Sequence, residues 1–406
     1  MLLSILLLVS VTSCNSDARV VISTNSPIPT NTEKPTEIFT SEPVITNTAT
    51  HTPTSPPEVS NDPRLIAVFG DENQEWFGRL AFSPNGIILA QAISSVKLWD
   101  VNTHELIREI KFPYAGQANK ILFSPDGSLL AVNISEHHYS WGGSQDARLL
   151  VWDVVTGELI QDWEQEHATM STYNGFDSEP TVYRILTDAM VFFPSSTNLA
   201  YANGNRVEIK DARTGEEIIS WSLGDKMYAS EMSIRGDGEF LYILMKWYKD
   251  LTFPSLYRWK FRVEIWHPTT KSFRNEIKIE EVHPSNADMW LVGQYVLYED
   301  KIKPSLDALD LSHDKKIDFP YRIGKKYFNA DASLMVVIRD IGVDENEEGF
   351  EIWNTDTWRN IYISKPSSFE YWFSLSDVAF SLDNSMLAMD YDGRILLWNI
   401  RPTIQP

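Results

Sequence analysis

The sequence predicts an all-β fold, a seven-bladed β-propeller of four-stranded antiparallel blades whose ring is closed by the N-terminal strand. Three observations carry that reading. An apolar hairpin recurs along the chain. A second apolar strand, in most copies ending in an aromatic residue, follows each hairpin at a steady distance, and a polar turn then leads into one more strand. The unit returns every roughly 43 to 58 residues, near the range of propeller blades.

The hairpin is clearest in Leu80-Ala81-Phe82-Ser83-Pro84-Asn85-Gly86-Ile87-Ile88-Leu89-Ala90 and in Ile121-Leu122-Phe123-Ser124-Pro125-Asp126-Gly127-Ser128-Leu129-Leu130-Ala131. Pro, then Asn or Asp, then Gly suits a type I turn closed by a residue at positive φ. Val378-Ala379-Phe380-Ser381-Leu382-Asp383-Asn384-Ser385-Met386-Leu387-Ala388 repeats the unit, with Ser expected in the place of Gly. Looser copies surround Arg235-Gly236-Asp237-Gly238 and Asn329-Ala330-Asp331-Ala332.

The second strand type is Val96-Lys97-Leu98-Trp99, Leu149-Leu150-Val151-Trp152, Val207-Glu208-Ile209-Lys210, Val263-Glu264-Ile265-Trp266, Phe350-Glu351-Ile352-Trp353 and Ile395-Leu396-Leu397-Trp398. Apolar residues two apart mark a strand packed between layers. Leu306-Asp307-Ala308-Leu309 is the best candidate for the copy missing between Trp266 and Trp353, which makes seven. Turns such as Thr103-His104-Glu105, Thr156-Gly157-Glu158 and Thr214-Gly215-Glu216 then introduce the fourth strand. The last copy stops at Trp398-Asn399-Ile400, whereas Arg64-Leu65-Ile66-Ala67-Val68-Phe69 precedes the first hairpin with no blade of its own. This N-terminal strand is expected to complete the last blade, which removes an open sheet edge.

Together, Phe-Ser-Pro-Asp-Gly, the Trp99-Asp100 and Trp152-Asp153 dipeptides and the Asp-x-x-Thr-Gly-Glu turns resemble the WD-repeat family over residues 64–400. His267, Asn354 and Asn399 replace Asp after the later tryptophans, repeat three ends in Lys210, and the Gly-His dipeptide of the family is missing. The resemblance implies a propeller that works as an interaction scaffold.

Composition and the N-terminus bound the function. The 406 residues are 43% hydrophobic, with 14 Trp, enough for a sizeable core. With 56 acids against 35 bases, the formal charge of −21 opposes sequence-independent nucleic-acid binding, which needs Lys and Arg against phosphates. One cysteine excludes an intramolecular disulfide and any Cys-based zinc cluster. The apolar run from Leu2 to Val9 has the length of a signal-peptide core, and Val11-Thr12-Ser13-Cys14 resembles the bacterial lipobox. Residues 1–13 are read as the lipoprotein signal peptide, with Cys14 as the lipidation site. Residues 14–62 are read as a disordered Ser/Thr/Pro-rich tether with an r.m.s. reach of roughly 40 Å, and residues 63–406 as the propeller. The expected location is the cell envelope, outside the cytoplasm, with the membrane contacted through the lipid alone.

Residues that exceed the repeat point to a working face. They include His137 to Gly143, the link from Gln165 to Leu186, the aromatic-basic run from Lys246 to Lys260, the acidic Asp344 to Gly349, and Phe369 to Phe373. In WD-repeat propellers such positions map to one face, and one-sided loop enlargement marks the binding face of a repeat scaffold. Trp141, Trp247, Tyr248, Tyr257, Trp259 and Trp372 are the candidate partner-binding residues, because interface centres are rich in Trp and Tyr. The same aromatics could stack on a sugar or simply cover a blade end. The adjacent His137 and His138 point to opposite sides of a strand and do not converge on a metal. Asp344 to Gly349 lacks the bidentate Glu of a calcium loop, since Thr355 stands at its twelfth position. No catalytic motif, cofactor site or metal site is found. The reading is a non-catalytic, monomeric scaffold for protein partners; a propeller enzyme or glycan-binding protein using the same face is the alternative.

Overall fold

A computed structural model describes residues 64–401, apart from 71–77, 136–146, 167, 173–180, 186–188, 195–196, 225–226, 249–258, 269–271, 283–286, 301–304, 312–314, 320–323, 340–348, 365–374 and 392. Residues 1–63, with the expected signal, Cys14 and tether, lie outside the described residues. Among the described residues there are seven four-stranded antiparallel sheets, one two-stranded hairpin and no helix.

Blade one is Arg79–Phe82, Ile88–Ala92, Ser95–Asp100 and Leu106–Lys111; blade two is Gln117–Phe123, Leu129–Ser135, Ala147–Asp153 and Leu159–Gln165. Blade three follows as Met190–Phe192, Asn198–Asn203, Arg206–Asp211 and Glu217–Ser222, and blade four as Met227–Ile234, Leu241–Tyr248, Trp259–His267 and Ser272–Val282. Blade five is Ala287–Val292, Tyr295–Asp300, Ser305–Asp310 and Lys315–Phe319, so Leu306 to Leu309 does form the third strand expected of the weakest repeat. Blade six is Lys325–Phe328, Leu334–Arg339, Gly349–Asn354 and Arg359–Ile363. Blade seven takes Leu375–Phe380, Met386–Tyr391 and Arg394–Asn399 from the end of the chain and Leu65–Gly70 from its beginning. The N-terminal strand pairs antiparallel with the last one, Phe69 opposite Ile395 and Gly70 opposite Arg394.

Burial explains the sequence pattern strand by strand. Second strands are enclosed on both faces by neighbouring blades, and every residue of Leu129–Ser135 is buried. The outer Leu106–Lys111 strand alternates between covered and open positions, as a half-buried strand should. Apolar clusters fill the spaces between blades. Val96 and Leu98 of blade one meet Ile134 and Trp152 of blade two, and Phe350 and Ile352 of blade six meet Met389 and Trp398 of blade seven. Phe69, Ala388 and Leu397 of blade seven pack with Leu80, Leu89 and Trp99 of blade one.

The tight turns follow from local hydrogen bonding. Ser83 Oγ accepts from Ile88 N at 2.9 Å while Gly86 N donates to Ser83 O at 2.8 Å, and Ser124 makes the same pair of bonds with Leu129 N and Gly127 N. Blade seven corrects one expectation. The residue at positive φ is Asn384 (φ 55), not Ser385, and in blade six it is Ala332 (φ 59). Asn tolerates this region better than most residues, so blade seven keeps the turn without Gly. The turns after the third strands are capped by the residue following the aromatic. Asp153 Oδ1 accepts from Val155 N and Thr156 N, and Asn354 Oδ1 accepts from Thr357 N at 2.8 Å. Replacing Asp by Asn there preserves the cap, because only a side-chain acceptor is needed.

Candidate functional site

Antiparallel order within each blade fixes two faces. Connections between first and second strands and between third and fourth strands emerge on one face. Connections between second and third strands and the links between blades emerge on the other. On the first face the turns are short throughout. On the second, the strands of blades two, four and six leave wide intervals, at residues 136–146, 249–258 and 340–348, whereas blades one, three and seven turn within residues 93–94, 204–205 and 392–393. Long links also open here before blade three and before blade seven. Of the enlarged segments named from the sequence, His137 to Gly143, Asp344 to Glu348 and Phe369 to Phe373 lie outside the described residues, and the link from Gln165 to Leu186 and the run from Lys246 to Lys260 are described in part. The link before blade three contains a hairpin of its own, Ala168–Thr172 paired with Thr181–Ile185.

The candidate aromatic residues divide into two groups. Trp141, Tyr257 and Trp372 lie outside the described residues, as does Cys14. Trp247 and Tyr248 end the second strand of blade four and Trp259 begins its third, with Tyr248 opposite Trp259 and Trp247 opposite Lys260. The aromatic-basic run is thus partly strand rather than wholly loop. Blade four extends its central hairpin toward the enlarged face, carrying three candidate residues at its end.

Polar groups cross between blades beneath that face. Glu231 of blade four accepts from Leu291 N of blade five, and Asp377 Oδ2 of blade seven accepts from Leu80 N of blade one at 2.9 Å. These are equivalent places, each just after a bulge in a first strand whose extra residue is a serine, Ser230 or Ser376. Gln91 Nε2 donates to Asp390 Oδ2 at 2.6 Å and to Gly393 O at 2.9 Å. Asn133 donates to Gln165, whose Nε2 reaches Ala202 O at 2.9 Å. Sequence pattern missed these groups, because a polar residue in a strand reads as solvent-facing until a neighbouring blade covers it.

A second chain-specific network lies in the third strands. Trp266 Nε1 donates to Glu264 Oε2 at 2.9 Å, Trp353 Nε1 donates to Glu351 Oε2 at 2.6 Å, and Lys210 Nζ sits 3.0 Å from Glu208 Oε2. Residues two apart share a strand face, so each Glu serves the side chain at the repeat's aromatic position. Blades one and seven carry Lys97 and Leu396 instead, and the buried indole N–H groups of Trp99 and Trp398 have no hydrogen-bond partner among the described residues.

The described surface also holds two shallow grooves. One, of about 360 Å³, lies on the tight-turn face between blades seven and one and is lined by Ile66, Ile87, Leu382, Asp383 and Arg401 among others. The other, of about 450 Å³, follows the outer strand of blade one past Arg108, Lys111 and Trp152. Each has one acid in its lining, Asp383 or Glu109, so neither brings together the paired carboxylates of acid–base chemistry. Among the described residues no group of three or more His, Cys, Asp or Glu side chains could hold a metal ion.

The fold defines a WD40-like seven-bladed β-propeller. No family model matches the sequence, and no curated protein matches it. Among solved structures, one chain of a "Crystal Structure of Mitotic Checkpoint Complex" superposes with a TM-score of 0.52 at 11% identity, covering 82% of this chain and 94% of that one. At that identity the likeness is one of fold alone.

Proposed function

We propose that this protein is a non-catalytic scaffold that binds protein partners through its enlarged face while a lipid on Cys14 tethers it to a membrane outside the cytoplasm. The observation that supports the reading is the asymmetry of the propeller. Among the described strands, short intervals join first to second and third to fourth, whereas in blades two, four and six wide intervals separate the second strand from the third. Such a face offers a broad surface without dedicating a strand to chemistry. The formal charge of −21 favours protein partners over nucleic acid. The central strands of blade four, with Trp247, Tyr248 and Trp259 at their described ends, supply residue types that dominate interface energetics.

The test is recovery of partners from detergent-solubilised membranes by wild type and by a Trp247→Ala, Trp259→Ala double variant of matched melting temperature. Loss of specific partners from the variant supports the reading. Recovery of the same set by both proteins removes blade four from the docking surface. For the anchor, Cys14→Ser abolishes acyl labelling; unchanged labelling refutes Cys14 as the lipid site.

A further inference from the structure

Where blade seven meets blade one, two carboxylates face each other with one arginine for company. Asp377, on the first strand of blade seven, is the register partner of Asp390 on the second. Asp390 is fully enclosed. Its Oδ1 accepts from Ser376 Oγ at 2.6 Å, its Oδ2 accepts from Gln91 Nε2 at 2.6 Å, and Gly78 and Gly393 add backbone N–H groups. Gly78 is pressed so closely on this carboxylate that a Cβ there would overlap it. Asp377 takes the Leu80 and Val378 N–H groups, and Arg79 and the Tyr327 phenol of blade six lie near enough to interact with it electrostatically. The Arg79 guanidinium is itself poorly placed for pairing. Its Nη1 lies 3.4 Å from Ser376 O, and its buried Nε has no partner among the described residues. Like charges directly opposite in a sheet repel, and burial strengthens the repulsion.

We infer that this seam takes up a proton as the medium becomes mildly acidic, and that the uptake tightens the joint where the two ends of the propeller meet. The geometry links the proton to the joint directly. Gln91 bridges Asp390 and the Gly393 carbonyl, and that carbonyl packs against Gly70, the last residue of the N-terminal strand. Burial pushes Asp377 up to about 6, with Asp390 adding to the rise against the pull of Leu80 N and Arg79, and burial raises Asp390 as well. The folded seam therefore holds a proton more tightly than the unfolded chain does. Its stability increases as pH falls through about 6 toward the ordinary carboxylate range, below which the unfolded chain is protonated too. The turn carboxylates Asp100, Asp153 and Asp383 are shifted downward by their hydrogen bonds, so they lose stability only at more acidic pH.

The test is native-state hydrogen exchange on the full chain between pH 7.5 and 5.0, read as protection factors for Leu65–Gly70 and Arg394–Asn399. In wild type, protection rises with acidification by up to about tenfold per pH unit, the limit for one proton. Asp377→Asn, which mimics the protonated carboxyl and keeps an acceptor for Leu80 N, is well protected at pH 7.5 and flat with pH. Asp383→Asn, in a turn on the other face, follows wild type. A wild-type slope retained in Asp377→Asn overturns the inference. If the variant does not fold, the carboxyl ¹³C titration of wild type decides. Both Asp377 and Asp390 titrating at ordinary values refutes it, and a midpoint near 6 for the pair sustains it.

Discussion

Lys210 places its ammonium 5.1 Å from the centroid of the Trp163 ring, so a cation of blade three rests on an aromatic of blade two. Trp163 stacks in turn on Tyr201 at 5.5 Å, and the Tyr201 hydroxyl donates to Glu208 at 2.6 Å. Glu208 also accepts from Asn203 and pairs with Lys210. Burial works to raise its pKa, but these partners outweigh it and hold Glu208 below the usual range. The residue that breaks the repeat pattern is therefore integrated by a network of its own. Lys210→Met leaves a mostly buried carboxylate short of a cation and costs about 1–3 kcal/mol by urea unfolding. A double-mutant cycle with Glu208→Gln isolates the pair, and a coupling energy near zero contradicts it.

In blade six the same position is served by an uncharged donor, and the consequence differs. Glu351→Gln keeps an acceptor for the Trp353 indole N–H and is expected to cost under about 1 kcal/mol, whereas Glu351→Ala strands that N–H in the core and costs about 1–3 kcal/mol. The measurement is the urea midpoint of each variant. Equal losses would mean that the bond contributes nothing beyond the packing of the side chain.

These networks mark where sequence reasoning stops. The blades were legible because strand alternation and turn chemistry are local: Ser83 to Ile88 carries its whole hydrogen-bond pattern within six residues, and even Leu306 to Leu309 kept enough alternation to be assigned. Asn384 was displaced by one position because both Asn and Ser are turn residues, and only the backbone reveals which adopts positive φ. The strand course at Trp247, Tyr248 and Trp259 was hidden by aromatic and basic residues that suit a loop as well as an extended hairpin. The Gln91–Asp390 bond joins positions 299 apart, and nothing periodic in the sequence pairs them.

The turn glycines give a prediction that separates backbone strain from crowding. Gly157 (φ +74) packs against Arg108 of blade one, which donates to Val155 O at 3.0 Å and also to Thr156 O, and Gly215 (φ +79) packs in the same way against Gln161 of blade two. Gly157→Ala meets both the left-handed penalty and the Arg108 side chain, and a loss of about 1–3 kcal/mol is expected. In an Arg108→Ala background the crowding disappears and only the backbone part, about 1–2 kcal/mol, remains. An unchanged cost in that background would show that Arg108 yields freely.

The N-terminal strand carries the most consequential prediction, because it supplies the fourth strand of blade seven from the opposite end of the chain. Phe69 is buried, its ring 5.3 Å from that of Trp99 and stacked at 5.6 Å on His104, whose φ of 62 holds the turn after the third strand of blade one. Phe69→Ala empties a junction between the last blade and the first and should cost about 3–5 kcal/mol. Deleting residues 63–70 removes the whole strand and exposes the Arg394–Asn399 edge. The loss then includes every ladder bond from Leu65 to Gly70, and the melting temperature should fall by well over 5 °C or the protein should aggregate through the bared edge. A deletion variant that melts within a degree or two of wild type would show that blade seven stands without its fourth strand, and that pairing between the two ends contributes little to holding the propeller together.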